Sequence, residues 1–270
     1  MLIVVLGATG NVGAEVVAAA VAAGHTVRAV SRSGGAARDG VEAVAGDMGD
    51  VATFAAALEG ADALFTLAGY AGLAGTLDAL PPGASVALLS SSAAPSGDRD
   101  NAVARYHLES EDLVAASGRP ATVVRPNAFA SNALRWQTQL AAGDVVREPF
   151  GDVALSVIDP ADIAAVVLHG LAGAPGTYRV TGPEALTAAQ RLAVLGDVLG
   201  RPLREQRMTD AEIRAEYEAS MPQPYVEAFF QFYRGGLIDE TSVTTDVERA
   251  LGRPPRSFRD WVEANRNAFA

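Results

Sequence analysis

Apolar and polar positions along the first 125 residues predict alternating strands and helices. Leu2–Leu6 is an unbroken apolar run, as a strand buried on both faces requires. Asn11–Ala23 reads as a helix that stops at Gly24. Thr26–Val30 is rich in β-formers, Val41–Ala45 is a short strand, and Val51–Leu58 is a helix ended by Gly60. Ala63–Thr66, Ser85–Leu89 and Ala121–Val124 are three further apolar runs. A long helix over roughly Arg99–Ser117, with Gly118 as its stop, precedes the last of them. Repeated β–α units with short turns predict a parallel sheet covered by helices on both faces.

The pattern changes after Pro126. A helix over Ala128–Ala142, a strand at Val153–Val157 and a helix over Asp159–Leu171 come first. A strand at Thr177–Val180 and a helix over Thr187–Leu199, closed by Gly200, follow. Met208–Ala219 is acidic and helical, Pro222–Tyr233 is dense in aromatics, and the end of the chain is again helical. No repeat or low-complexity linker divides the halves. The expected fold is α/β: a Rossmann-type doubly wound parallel sheet over residues 1–126, with a smaller, mostly helical C-terminal lobe over residues 127–270. The lobe is expected to interleave with the core in a single compact unit, and the cleft between them is the expected ligand site.

Composition removes several chemistries. The chain has no cysteine, and all 21 basic residues are arginine. Disulfides, thiolate nucleophiles, lysine Schiff bases and a phosphate-loop lysine are therefore absent. The formal charge of −11 disfavours nucleic acid and anionic membrane surfaces as partners. No apolar stretch reaches ~20 residues, so no transmembrane helix is expected. The opening MLIVVLGATG lacks the basic flank and length of a signal peptide, and a cytoplasmic location is the expectation. A monomer or homodimer is expected.

Gly7-Ala8-Thr9-Gly10-Asn11-Val12-Gly13 lies between the first strand and the first helix. Glycines there permit a tight turn and close approach to a pyrophosphate, and the helix N-terminus supplies N–H groups and a positive dipole end. The end of the second strand reads Val27-Arg28-Ala29-Val30-Ser31-Arg32-Ser33. Ser31 and Arg32 occupy the position where an acidic residue would select NAD; arginine there accommodates a 2′-phosphate, so NADP(H) is the expected cofactor. Arg28 alternates with buried residues and reads as a surface charge. Asp47 fits either an adenine contact or a helix cap, for which Asp50 is better placed.

Several stretches together resemble the atypical short-chain dehydrogenases/reductases of the NmrA-like group. They are GATGNVG, VRAVSR, the GD of AGDMGD, SSS at Ser90–Ser92, HLESEDLVAASGRPATVVRPNAF from His107, SVIDPADIAAVV from Ser156 and YRVTGPEALT from Tyr178. GRPPRSFRDWVEANRNAF, from Gly252, is similar to the bacterial ergot-alkaloid-biosynthesis-like branch. The resemblance implies that Gly7, Thr9, Gly10, Asn11 and Val12 hold the pyrophosphate. It implies Ser31 and Arg32 at the 2′-phosphate, and Asp47 with Met48 at the adenine. Leu67, Ala68 and Gly69 would line the nicotinamide ribose, Ser90 would sit near the nicotinamide, and Pro126 with Asn127 would border it. Counting back from Glu111, the resemblance puts the family's catalytic tyrosine and lysine positions on Val103 and His107. The usual acid is missing, and Tyr106 is three residues off register, about 60° away around a helix. Histidine replaces the lysine, and the resemblance implies that His107 hydrogen-bonds the nicotinamide ribose.

Ser90, Tyr106 and His107 are thus the candidate catalytic residues. His107 and Glu111 share one helix face, where a hydrogen bond is expected rather than a metal site; no metal is expected. Ser90–Ser92 could include a proton donor or be a polar strand end. Phe129, Trp136, Tyr225 and Phe229 are candidates for an apolar substrate pocket, although Phe229, Phe232 and Tyr233 share a helical face that suits a core equally. The leading functional expectation is an NADPH-dependent reductase of a small, apolar or aromatic, conjugated acceptor such as a quinone or an activated C=C or C=N. A non-catalytic NADP(H) sensor and a non-redox cyclase or dehydratase are the alternatives.

Overall fold

The structure is a computed structural model that describes residues 1–35 and 37–269. Seven parallel strands form the sheet: β1 (Leu2–Leu6), β2 (Thr26–Ser31), β3 (Val41–Ala45), β4 (Ala63–Leu67), β5 (Ser85–Leu89), β6 (Ala121–Pro126) and β8 (Gly176–Val180). Their order is β3-β2-β1-β4-β5-β6-β8. Alternate residues of β1 feed opposite faces. Ile3 and Val5 pack with α1 (Asn11–Ala22) and α6 (Pro160–Leu171), whereas Val4 and Leu6 pack with α2 (Ala55–Leu58) and α3 (Leu73–Ala79). Each fully buried Val, Leu or Ile contributes ~1.5–3 kcal/mol, and this two-sided burial makes β1 the centre of the molecule.

The long helix α4 (Ala102–Ala116) begins where Asn101 accepts from the N–H groups of Val103 and Ala104. It starts three residues later than its sequence pattern suggests because this cap ends the loop. Residues 51–58 form a 3-10 turn and a short α2 rather than one helix. Residues 128–142 divide similarly into a 3-10 stretch over Ala130–Trp136 and α5 (Gln137–Ala142). The lobe adds β7 (Val145–Arg147), α7 (Ala188–Leu199), β9 (Arg204–Gln206), α8 (Asp210–Glu218), α9 (Gln223–Tyr233), α10 (Asp246–Leu251) and α11 (Phe258–Ala264). β7 and β9 pair in parallel as a separate ribbon.

The strand expected at Val153–Val157 does not form. Its backbone is shared out among different neighbours: Leu155 bridges Leu186, Ser156 N–H donates to Glu240, and Ile158 N–H donates to Ala128. The sheet position beside β6 belongs instead to β8. Residues 127–270 therefore complete the sheet rather than standing apart from it. α6 packs on α1, while Trp136, Leu192, Leu195, Phe258 and Trp261 make a separate core in the lobe.

α3 was not expected from the sequence. Its last carbonyls are gathered by Arg119, which donates to Leu77 (3.0 Å), Leu80 (2.9 Å) and Pro81 (2.6 Å). One guanidinium thus satisfies helix-end acceptors that lack intrahelical donors. Arg119→Ala is expected to lower stability by ~1.5–3 kcal/mol. Urea unfolding should show a lower midpoint with an unchanged slope.

Candidate active site

The glycine turn sits where β1 ends and the strand order runs outward in both directions. Gly7 has φ of +65°, and Gly10 N–H closes the turn on Gly7 O at 2.9 Å. A Cβ on Gly13 would stand 2.2 Å from Gly7 O, so α1 lies against the turn as only glycine permits. No side chain caps α1 at Gly10. Its first-turn N–H groups remain available to an anion beside Thr9, Asn11 and Val12. This uncapped, glycine-walled cradle fits a dinucleotide pyrophosphate.

At the end of β2, Ser31 is buried with its Oγ lacking a partner, and Arg32 is exposed. Among the described residues Arg32 makes no ion pair or hydrogen bond. It lines a shallow cleft with Ala45, Gly46, Asp47 and Thr53. Asp47 accepts from Gly49 N–H (2.8 Å), while Asp50 caps the following 3-10 turn through Ala52 N–H (3.1 Å). Met48 is half-buried against the second core face. Arg28 pairs with Glu42 and donates to the carbonyls of Ala57 and Glu59.

A cavity of about 370 Å³ opens at the carboxyl ends of β4, β5 and β6. Leu67, Ala68, Ser90, Pro126 and Asn127 come from the strand ends, Val103, Tyr106 and His107 from α4, and Phe229, Phe232 and Tyr233 from α9. Gly69 is not in the wall but stands behind Tyr106, whose Cδ2 lies 2.7 Å from where a Cβ would be. Its φ of +84° also requires glycine. Asn127 donates to Ser156 Oγ (2.8 Å), and its own Oδ1 is buried without a partner.

The candidate catalytic residues are brought together, but their bonds differ from those expected. Ser90 Oγ donates to Glu111 Oε1 at 2.5 Å. Arg125 holds the same carboxylate through Nε (2.9 Å) and Nη2 (2.5 Å). Glu111 is thereby occupied, and the expected hydrogen bond from His107 to Glu111 is absent. His107 instead is buried with Nδ1 unpaired, its ring centroid 4.3 Å from that of Tyr106. Burial lowers its pKa from an ordinary 6.5 to about 4, against an opposing pull from Glu111. Burial also raises the Tyr106 hydroxyl, with Tyr225 adding to the rise.

Glu240 was missed by sequence reasoning. It is buried in the cavity wall, accepting from Ala128 N–H at 2.8 Å and from Ser92 Oγ. Burial pushes its carboxyl up, although both donors favour the ionised form. Ser92 and Glu240 are 148 positions apart, so no local pattern links them.

Of the expected pocket residues, Phe129 and Phe229 line the cavity, and Trp136 and Tyr225 do not. Trp136 is fully buried in the lobe core and donates its indole N–H to Glu148 at 2.8 Å. Tyr225, near the N-terminus of α9, is exposed. Phe232 and Tyr233 serve both readings of the aromatic stripe, packing in the interior while facing the cavity.

Comparison with known proteins agrees with this architecture. Residues 1–77 match the NmrA-like family. The chain is 37% identical to (4-alkanoyl-5-oxo-2,5-dihydrofuran-3-yl)methyl phosphate reductase of Streptomyces griseus, over 100% of this chain and 99% of that protein. It is 30% identical to the NAD(P)H azoreductase of Xenophilus azovorans, over 99% of each. Its fold resembles that of an NADPH-dependent quinone oxidoreductase from Escherichia coli, solved with NADPH. The TM-score is 0.74 at 20% identity, covering 98% of this chain and 99% of that one. A parallel sheet with a glycine turn at its switch point defines a dinucleotide-binding protein of the short-chain dehydrogenase/reductase class. Within it, the chain belongs to the atypical, NmrA-like NAD(P)-binding family. Among the described residues no helix is long and apolar enough to cross a membrane.

The His107 environment has a measurable consequence. Its folded pKa lies below that of the unfolded chain, so unfolding takes up a proton below pH 6.5. The stability it contributes is complete above pH 6.5 and is lost as pH falls toward 4. The loss of unfolding free energy between pH 7 and 4.5 should be smaller in His107→Gln than in the parent. An equal loss in both would place the titration elsewhere.

Proposed function

We propose that the protein is an NADPH-dependent reductase of a small conjugated acceptor: a quinone, or a C=C or C=N made electrophilic by conjugation. The single observation that carries this is the shortage of a strong proton donor in the cavity. Val103 stands in the wall where the family's tyrosine would be, and the Ser90 proton is committed to Glu111. Tyr106, whose hydroxyl has no hydrogen-bond partner among the described residues, is a weak donor because burial raises its pKa. A simple ketone needs its oxygen protonated as hydride arrives; a conjugated acceptor can delocalise that charge.

In this reading Gly7, Thr9, Gly10, Asn11 and Val12 hold the pyrophosphate, Ser31 and Arg32 the 2′-phosphate, and Asp47 with Met48 the adenine. Leu67 and Ala68, with Gly69 behind Tyr106, line the nicotinamide ribose, His107 hydrogen-bonds that ribose, Ser90 sits near the nicotinamide, and Pro126 with Asn127 borders it. NADPH supplies the hydride when bound. The acceptor lies flat between Phe129 and Phe229, which exclude water and set the distance to the reacting carbon. Tyr106 donates a hydrogen bond to the oxygen or nitrogen that gains charge. His107 is neutral at pH 7 and adds no competing cation. The atom left with the negative charge after hydride transfer, a quinone oxygen or the carbon or nitrogen of the reduced double bond, takes one proton from water. The similar proteins support this acceptor class: one is named a reductase of an (alkanoyl-oxo-dihydrofuranyl)methyl phosphate, a conjugated acceptor that carries a phosphate ester, and another is an azoreductase.

Arg32→Ala is expected to weaken NADPH binding roughly 10- to 100-fold, the value of a charge-assisted pair with a phosphate. NADH binding should hardly change; equal losses for both would remove Arg32 from the 2′-phosphate. In steady-state assays quinones and conjugated enones should turn over faster than simple ketones, and Tyr106→Phe should slow them modestly. Rapid ketone reduction abolished by Tyr106→Phe would make Tyr106 a conventional acid. Tight NADPH binding with no turnover of any acceptor would favour a sensor of NADP(H).

A further inference from the structure

A second cavity, of about 330 Å³, adjoins the first, and Ala128, Asn132, Phe229 and Tyr233 face both. Its far wall carries Arg135, Glu148, Arg191 and Tyr217. The Arg191 side chain on α7 is only 2% exposed. Among the described residues it makes no hydrogen bond, and its Nε is buried without a partner. Its one ion-pair contact is Nη2 to Glu148 Oε1 at 3.8 Å, too long for a hydrogen bond.

Glu148 is already engaged elsewhere. Arg135 grips it with Nε (3.0 Å) and Nη2, and Trp136 Nε1 adds a third donor at 2.8 Å. Two guanidiniums therefore share one carboxylate that is satisfied by the first of them. Glu205 is close enough to act on Arg191 electrostatically but forms no ion pair with it, and burial pushes its carboxyl up. The Arg191 side chain also stacks over Trp136, 5.5 Å from the ring centroid. That contact fixes the guanidinium without neutralising it. A buried arginine cannot readily shed its proton, so one that makes no hydrogen bond and shares its single, distant carboxylate with Arg135 has room for a further anion.

Further features suit the same ligand. The hydroxyls of Tyr217 and Tyr233 and the amide of Asn132 have no hydrogen-bond partners among the described residues. Phe150, in the floor, has φ of +53°, the one non-glycine residue with positive φ among those described. Its ring packs against Phe230 (5.1 Å) and Tyr233 (4.9 Å). A bulky residue keeps that conformation only where its surroundings enforce it, and such strain concentrates at binding sites.

We propose that the second cavity is a phosphate subsite: the acceptor carries a phosphate monoester at one end, which sits on Arg191 and Arg135 while its conjugated end lies in the first cavity. A phosphate offers three oxygens to two guanidiniums, two phenols and an amide, whereas a carboxylate would leave donors unused. The net charge of −11 makes adventitious phosphate binding elsewhere on the surface unfavourable. The identity of the molecule bearing the phosphate rests on the reductase reading; the subsite itself does not.

The test is calorimetric titration of phenyl phosphate into the NADP⁺-loaded protein, with benzyl alcohol as the uncharged control and tryptophan fluorescence as a second readout. Phenyl phosphate should bind and benzyl alcohol should not, and Arg191→Met should weaken binding roughly 10- to 100-fold. NADP⁺ affinity should be unchanged in the variant. Should Arg191→Met fail to fold, Tyr217→Phe should weaken phenyl phosphate several-fold with the fold intact. Phenyl phosphate that binds no better than benzyl alcohol, or is indifferent to these substitutions, overturns the subsite. Phosphate binding that depends on Arg191, in a protein that reduces no acceptor, upholds the subsite and overturns the reductase reading instead.

Discussion

The approach of α1 to the glycine turn is the constraint from which the rest of the architecture follows. With no side chain on Gly13, the helix settles onto the carbonyl of Gly7, and its axis is set directly against β1. That contact lets α6 lie beside α1 on the same face and share one apolar core with it. α6 in turn leads to β8, which closes the sheet beside β6. The feature that opens a space for an anion thus also determines where the second half of the chain is anchored. Any residue larger than glycine at position 13 would have to move either the turn or the helix, and so both the cradle and the packing of the lobe.

Two carboxylates, Glu240 buried and Glu111 half-buried, brace the strand ends that line the first cavity. Glu111, held by Arg125, immobilises Ser90 at the end of β5. Glu240 comes from the far end of the chain to hold Ser92 and the backbone at Ala128. Neither carboxylate is left to take part freely, because each already accepts at least two hydrogen bonds. Their effect is to brace the strand ends while the His107 and Tyr106 side chains face the cavity without hydrogen bonds to other described residues. The site is stiff in its frame and unsatisfied at its centre, as a surface waiting for ligands should be.

The central fold was legible because its signals are local. Continuous apolar runs mark strands buried on both faces, and glycines mark the turn and the helix ends. All seven strands of the sheet were read within a residue or two of their observed ends. What escaped depended on tertiary partners. α3 is only seven residues long, and its end is completed by Arg119, some forty positions away. Val153–Val157 has a strand's composition but divides its backbone among separate neighbours. The resemblance drew attention to Ser90 and His107, but no spacing rule could tell that Glu111 would be claimed by Arg125. Glu240 and Arg191 lay beyond any motif, since their environments are assembled only by folding. Trp136 was conspicuous as an aromatic, yet its indole belongs to the core beneath Arg191 rather than to the first cavity.

Asn101 joins two parts of the molecule that might otherwise move separately. Its carbonyl oxygen caps α4, and its amide nitrogen reaches Gln231 Oε1 (2.7 Å) and the Ala228 carbonyl (3.3 Å) on α9. The aromatic wall is therefore hinged to the first turn of the helix that bears Tyr106 and His107. Prying the wall outward strains the cap, and the elastic cost rises with the thickness of whatever enters. The width of the cavity is in this way a matter of stiffness, transmitted through one amide side chain, and not only of the room available.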